Sequence, residues 1–306
     1  MAQAQTQTPP TSPATAASPP DQAANDDPIG NVATLTGSAT VTRNNTPTPL
    51  KLKEDIFLND VLQTSANSTL GVTFNDATTF NLTANARITV DNFVYEDGGK
   101  KKNTALFDIT KGTVAFAAAA VAKTGDMKIS TPSATLGIRG TTGLVEVPEG
   151  ASAANASNVA IKLYPDADGR VGRIEVNDRA GARLGFLTQG SSGFTIGRGA
   201  GGRLAALPLV ISPQQALRDQ GFVRQVHAAQ GVGRQIVTER RIQRLQNPAQ
   251  NNRQPGLQRQ NGLPNRPGLG QPGLQPQPNA PGVQRQGFQK LRPGLPAPKR
   301  PAKQKH

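Results

Sequence analysis

An all-β fold is predicted for the middle of this chain, a short-stranded β-sandwich or roll or a short β-solenoid, followed by a helix and a disordered basic tail. Three observations lead there. Between residues 30 and 197 apolar residues alternate with polar ones in short runs, and a period of two marks a strand with one buried face. Turn residues separate the runs at intervals of about ten residues, the rhythm of sandwiches and barrels. No stretch between them has the length or period of a crossover helix, which argues against a parallel α/β sheet.

Val32 to Leu35 and Ala39 to Val41 are the first strands, broken at Gly37. Arg43-Asn44-Asn45-Thr46 reads as a hairpin turn, because asparagine tolerates positive φ. Leu50, Leu52, Ile56 and Leu58 continue the alternation, and Leu70, Val72 and Phe74 are expected to pair with Phe80 and Leu82 across Asn75-Asp76-Ala77-Thr78. Ala86, Ile88 and Val90 follow, then Phe93 to Tyr95, a turn at 96–100, and Ala105, Phe107 and Ile109. Val114 to Val121 carries four successive alanines that favour helix, but Val114, Phe116 and the flanking turns favour strand, and it is read as strand.

The densest strand signal is MKISTPSATLGIRGTTGLVEV at 127–147, where Ala134, Leu136 and Ile138 share one face and Thr135, Gly137 and Arg139 the other. Pro132 cannot donate to a ladder and marks a strand start or edge, while Gly140 permits a bulge. Beyond a small-residue loop at 150–158, Val159, Ile161 and Leu163, then Ile174 and Val176, Leu184, and Phe194 and Ile196 complete the same β-structure. Leu70, Val72, Phe74, Phe107, Leu136 and Ile138 are predicted core residues.

Helix begins at Ser212, an N-cap with Pro213 at the first helical position and Gln215 closing a capping box. It is expected to reach about Gln230, with Gly231 and Gly233 separating it from a second piece, Gln235 to Leu245. The division is therefore 1–29 disordered, 30–211 a β domain, 212–245 helical, and 246–306 a disordered Gln/Pro/Gly/Arg-rich tail. Neither end has the composition to offset chain entropy by burial. Pro-Gly-Leu recurs irregularly in the tail, without the strict three-residue glycine period of collagen.

Charge is segregated as sharply as hydrophobicity. Lys plus Arg and Asp plus Glu number 18 and 18 in residues 1–211 but 16 and 2 in residues 212–306, so the net charge of +14 lies wholly behind the β region. Such an arm suits anionic polymers, whether nucleic acid, lipopolysaccharide, teichoic-type glycans or a membrane surface, or else is a solubilising tail with no fixed partner. Phe288 is the only aromatic residue of the tail, too few for a stacking platform on single-stranded nucleic acid. With no cysteine there is neither a disulfide framework nor a thiolate metal site. No apolar run is long enough to span a bilayer. The polar Ala/Gln/Thr/Pro start lacks an export signal but resembles the first residues of a chain after a signal-peptidase cut.

The run Thr131-Pro132-Ser133-Ala134-Thr135-Leu136-Gly137-Ile138-Arg139-Gly140-Thr141 resembles the TP-x-A-x-x-x-RGT signature of the FecR domain family, the periplasmic part of ferric-citrate-type signalling regulators. Asn59-Asp60-Val61-Leu62-Gln63-Thr64 is similar to the gD-x-I-x-T element of that family, and Phe74-Asn75-Asp76-Ala77-Thr78 to its f-x-DG-t turn. The likeness covers about residues 30 to 146. Two positions depart from the pattern: Ala77 stands where the family usually has glycine, and Gly143 where an aromatic is common.

The resemblance implies a non-enzymatic binding or signal-receiving module, periplasmic or secreted, with an envelope protein or a small ligand as partner. Without it, a cytoplasmic protein would be expected. In the family's regulators the domain hangs from a transmembrane helix below an anti-sigma region, neither of which is recognisable here, so a stand-alone version is expected. The motif positions that a binding role would draw on are Asp60, Thr64, Asp76, Thr131, Pro132, Arg139, Gly140 and Thr141. The alternative is a structural or adhesive surface protein anchored through its tail.

The side chains offer little catalytic chemistry. The β region has no histidine and no cysteine, so a Ser-His-Asp unit would have to recruit His227 from the helix, and two histidines are too few for a His-based zinc site. No cofactor and no metal are expected. Asp166-Ala167-Asp168-Gly169 lacks the further ligands of a calcium loop and reads as a hairpin turn. Gly197-Arg198-Gly199-Ala200-Gly201-Gly202 fits the dinucleotide-binding spacing but leads to Pro208 rather than a helix, so it reads as a connector. Arg139 is the one charged side chain inside the central motif, either a hook for a planar ligand or, more in keeping with its neighbours, a cap for nearby carbonyls.

Overall fold

The computed structural model describes residues 27–98, 102–152 and 158–246. The expected disordered segments at 1–29 and 246–306 lie almost wholly outside the described residues. Seventeen strands and one long helix make up the described part. They are β1 (Gly30–Thr36), β2 (Ala39–Arg43), β3 (Thr46–Pro49), β4 (Asp55–Ile56), β5 (Val61–Thr64), β6 (Thr69–Phe74), β7 (Thr79–Leu82), β8 (Arg87–Val94) and β9 (Thr104–Ala117). A short helix α1 (Ala120–Thr124) leads to β10 (Asp126–Ser130), β11 (Thr135–Arg139), β12 (Thr142–Val147) and β13 (Val159–Tyr164). Then come β14 (Arg173–Asn177), β15 (Arg183–Leu187), β16 (Ser192–Arg198), β17 (Leu204–Pro208) and α2 (Pro213–Gln246).

All seventeen strands hydrogen-bond into one continuous open sheet, folded over through β9 into two ladders. Ladder A runs β4-β1-β6-β7-β9-β12-β13-β16-β17. Ladder B runs β3-β2-β5-β8-β9-β10-β11-β14-β15. Every pairing is antiparallel except β9 with β10. From β10 onward the chain lays down one hairpin in B, one in A, one in B and one in A, a roll with the two layers of a sandwich.

Strand β9 belongs to both ladders. Its first part pairs with β8 and β10, and from Gly112 onward it pairs with β12 and then β7. At the corner Gly112 has φ +87°, and a Cβ there would lie 2.4 Å from the Ala86 Cα, so only glycine fits. The inner faces enclose one core that contains all six residues expected there. Phe74 and Phe80 from ladder A meet Phe107 from ladder B at ring centroid distances of 4.9 and 4.5 Å, the offset packing that aromatic quadrupoles favour. The outermost strands β3 and β17 carry Pro47, Pro49 and Pro208, which withhold donors at the sheet edges.

Two local expectations are corrected. The strand expected to continue to Val121 ends at Ala117, and α1 starts at Ala120. The cause is long-range: the Thr78 hydroxyl accepts from the Ala119 N–H at 3.0 Å and the Asp76 carboxylate from the Val121 N–H at 3.0 Å, so a turn 41 to 45 residues away caps the helix. The second correction is that α2 is one 34-residue helix, unbroken at Gly231 and Gly233, about 50 Å long. A Cβ on Gly233 would meet Thr73 Oγ1 at 2.0 Å, so this glycine lets the helix lie close on ladder A. The capping box forms as expected, with Ser212 Oγ accepting from Gln215 N–H and Gln215 Oε1 from Ser212 N–H, at 3.3 and 3.1 Å.

Candidate functional site

Most of the motif residues turn inward. Asp60 is 1% exposed and accepts from Arg43 Nε at 2.8 Å and from the Phe57 N–H at 2.9 Å. The Thr64 hydroxyl donates to the Thr83 carbonyl and accepts from the Ala86 N–H at 2.9 Å. Asp76 accepts from the Thr78 N–H and hydroxyl at 2.8 and 2.7 Å as well as from Val121. Burial pushes its carboxyl above the usual carboxylate range, against the pull of those hydrogen bonds. Ala77 sits beside it at φ +70°, the left-handed region for which the family's glycine suits better.

In the central motif, the Thr131 hydroxyl donates to the carbonyl and accepts from the N–H of Ala134, closing a buried turn in which Pro132 is half-buried. The buried Thr141 hydroxyl donates to the Tyr164 carbonyl at 3.2 Å. Gly140 has φ +49° and lies against the Lys123 side chain. Arg139 alone projects outward, donating to the Gly125 and Ile138 carbonyls at 3.2 and 3.3 Å, with Asp126 at 3.8 Å. The contacts of these motif side chains thus fall in separate turns, with no hydrogen-bond partner in common. Sequence adjacency did not become a shared pocket.

A different constellation lies where α2 crosses the outer face of ladder A. On β13 the odd-numbered Val159, Ile161 and Leu163 face the core, which turns Ala160, Lys162 and Tyr164 toward the helix. On β12 the same alternation presents Thr142, Leu144 and Glu146. Lys162 is 1% exposed, and its Nζ donates to Glu146 Oε1 at 2.8 Å and to Asp219 Oδ2 of α2 at 2.9 Å. The Tyr164 hydroxyl donates to the same Asp219 oxygen at 2.6 Å. Burial, and then this carboxylate, push the Tyr164 phenol far up.

Farther along the seam the Thr142 hydroxyl donates to Asp166 Oδ1 at 2.7 Å and lies 2.9 Å from His227 Nε2. With its one proton given to Asp166, the hydroxyl accepts from an Nε2–H tautomer. His227 is therefore recruited from the helix, but the hydroxyl sits between imidazole and carboxylate, so no imidazole base faces it and a catalytic triad is not formed. Burial lowers the His227 pKa and Asp166 partly offsets this. The turn at 166–169 is tight, with Gly169 N–H on the Asp166 carbonyl, but it links β13 in ladder A to β14 in ladder B rather than two paired strands. Gly197 to Gly202 joins the paired strands β16 and β17, a connector as expected.

A cavity of about 270 Å³ opens near the end of α2, lined by Pro28, Asn75, Tyr95, Asp97, Arg240 and Arg241 among others. Arg241 pairs with Asp97 at 3.1 Å and Arg240 with Asp55, so both guanidinium groups have carboxylate partners. Among the described residues no group of three or more His, Asp or Glu is placed to hold a metal ion. No helix among them is long and apolar enough to cross a membrane.

Sequence reasoning missed Lys162, Tyr164, Glu146, Thr142 and Asp219. The one available signal was a lysine at the fourth position of an otherwise apolar strand, VAIKLY. A charged residue in that place asks for a covered partner, which the sequence does not name.

Residues 60–161 match the family model described as FecR protein. Two crystal structures of a candidate anti-sigma factor from Parabacteroides distasonis ATCC 8503, at 2.50 and 1.65 Å resolution, are similar at 12% identity and a TM-score of 0.35. They cover 53% and 54% of this chain and 73% and 74% of their own. No curated protein matches the chain.

Proposed function

From a chain that carries a FecR domain at residues 60–161, we propose a non-enzymatic, signal-receiving module of the cell envelope whose basic C-terminal arm engages anionic polymers. The family match is the observation that carries the reading. It is supported by the inward placement of Asp60, Thr64, Asp76, Thr131 and Thr141, which act as staples of the domain and leave Arg139 to meet a protein or ligand partner. The basic arm enters through its charge, 10 cations and no anion in residues 247–306, which favours polyanions by counterion release. The match to the FecR family model supports a location in the periplasm or outside the cell.

The test compares the full chain with a chain ending at Gln246 on immobilised lipopolysaccharide over a salt series. The full chain is expected to bind with an affinity that falls steeply as salt rises, and the shortened chain to lose most of that binding. Equal and salt-insensitive binding by both would move recognition to the β domain. Fractionation of cells expressing the gene with its own upstream sequence tests location, and retention in the cytoplasm would contradict the envelope assignment.

A further inference from the structure

Lys162 ranks with the core phenylalanines among the largest fully buried side chains. A lone ion pair is a costly way to fill such a place, because withdrawing an ammonium and a carboxylate from water costs several kcal/mol each. The surroundings are apolar: Leu144 faces Lys162 across the β12–β13 pairing, and Ala115, Ala117, Leu144, Tyr164 and Val226 form a separate cluster at the seam, with Phe222 and Val223 packed on it. The amine touches two carboxylates of different character. Asp219 is 3% exposed and held by the Tyr164 hydroxyl, whereas Glu146 is 34% exposed at the rim.

We propose that Lys162 and Asp219 become joined by an intramolecular isopeptide bond, with Glu146 as the proton carrier. The hydrogen-bonded proton between Nζ and Asp219 passes to the carboxylate, leaving a neutral amine beside a carboxylic acid. The Nζ lone pair attacks Asp219 Cγ, and Glu146 takes a proton from the nitrogen. Collapse breaks one Cγ–O bond, and Glu146 returns the proton to the departing oxygen, which leaves as water. Nothing is oxidised or reduced, and no co-reactant is needed. Burial assigns the roles: the dry, Tyr164-bonded Asp219 is the electrophile, and the rim position of Glu146 gives the released water a way out.

Folding holds the reactants in contact, which supplies the orientation that makes such steps effectively unimolecular. The product replaces two buried charges by a neutral amide. It also ties β13 to the second turn of α2 across 57 residues of chain, fixing the helix to ladder A by a covalent bond.

The experiment is mass spectrometry of the purified full chain, intact and after trypsin. The expected intact mass is one water below that of the sequence, with no cleavage after Lys162 and a branched peptide containing Lys162 and Asp219. Asp219→Ala and Glu146→Gln are expected to restore the water. An intact mass equal to that of the sequence overturns the proposal. So does loss of a water with Lys162 and Asp219 in separate linear peptides, which would place it in a succinimide at an Asp-Gly pair such as Asp168-Gly169. A branched peptide surviving in Glu146→Gln overturns the role given to Glu146.

Discussion

The two faces of ladder A are built by opposite rules. Its inner face meets ladder B through Val32, Val72, Phe74, Phe116, Val145 and Ile161, an apolar core. Its outer face meets α2 through a small apolar cluster around Leu144 and Val226 set among hydroxyls, amides and charges: Thr73 on the Ala229 carbonyl, Asn81 on Gln225, Gln230 on the Ala77 carbonyl, and Lys162 on Asp219. The inner contact is non-directional and scales with buried area, so it tolerates exchange of one apolar shape for another. The outer contact is directional, and each donor there strands a partner if it is removed. The inner face specifies that a two-layered β fold forms, and the outer face specifies where the helix lies.

The contrast can be broken most severely from inside. Phe107→Ala removes a ring that touches both Phe74 and Phe80 and is expected to cost about 3 to 5 kcal/mol, with Leu136→Ala at about 2 to 5. Urea titration measures both, and a change within error would misplace these strands. At the seam, Tyr164→Phe deletes the donor to the buried Asp219 oxygen and is expected to cost about 1 to 3 kcal/mol, as for a buried acceptor left unsatisfied. Gly233→Ala drives a methyl into Thr73 and is expected to cost about 1 to 3 kcal/mol by overpacking. Hydrogen exchange should then quicken in α2 while β7 and β9 stay protected, and uniform quickening would mean that seam and core are one unit.

Acidification sharpens the same contrast. Burial holds the folded His227 below its ordinary value of 6.5, so above that value both states are neutral and nothing changes. As the pH falls below it, the unfolded chain takes up a proton first, and stability declines until the lowered folded value is passed. His227→Gln keeps an N–H donor for Thr142 without a titration, and its stability should be flatter over that window. Parallel curves would remove His227 from the pH response. The smallest effect expected is a gain: Ala77→Gly relieves a left-handed alanine at φ +70°, stabilising by about 1 kcal/mol. A loss would show that the turn depends on the alanine methyl.

Legibility in the sequence tracks the range of the forces. The six predicted core positions needed only alternation along single strands, and the Ser212 capping box and the Asn44-Asn45 turn needed only neighbours. The double membership of β9 was not readable, because Gly112 is a corner only against Ala86. Gly231 and Gly233 read as helix breakers on propensity, and tertiary packing on Thr73 overrides it. Of the motif, the Asp76 turn was recognisable, but its capping of α1 spans 41 and 45 residues of chain. The Lys162 network needed Asp219, 57 residues on, and no local pattern couples the two.

The central claim is that α2 is a structural part of the β unit rather than the first stretch of the basic arm, as a division at residue 211 would have it. The most direct measurement is the thermal midpoint of three chains: the full length, one ending at Gln246 and one ending at Ile211. The first two should melt within a few degrees of each other. The third loses the burial of Val226, Ala229 and Ile236 and every partner at the seam, and it should melt lower by on the order of 10 °C, as a loss of several kcal/mol implies for a domain of this size. A chain ending at Ile211 that melts with the full-length protein would contradict the claim and return α2 to the arm.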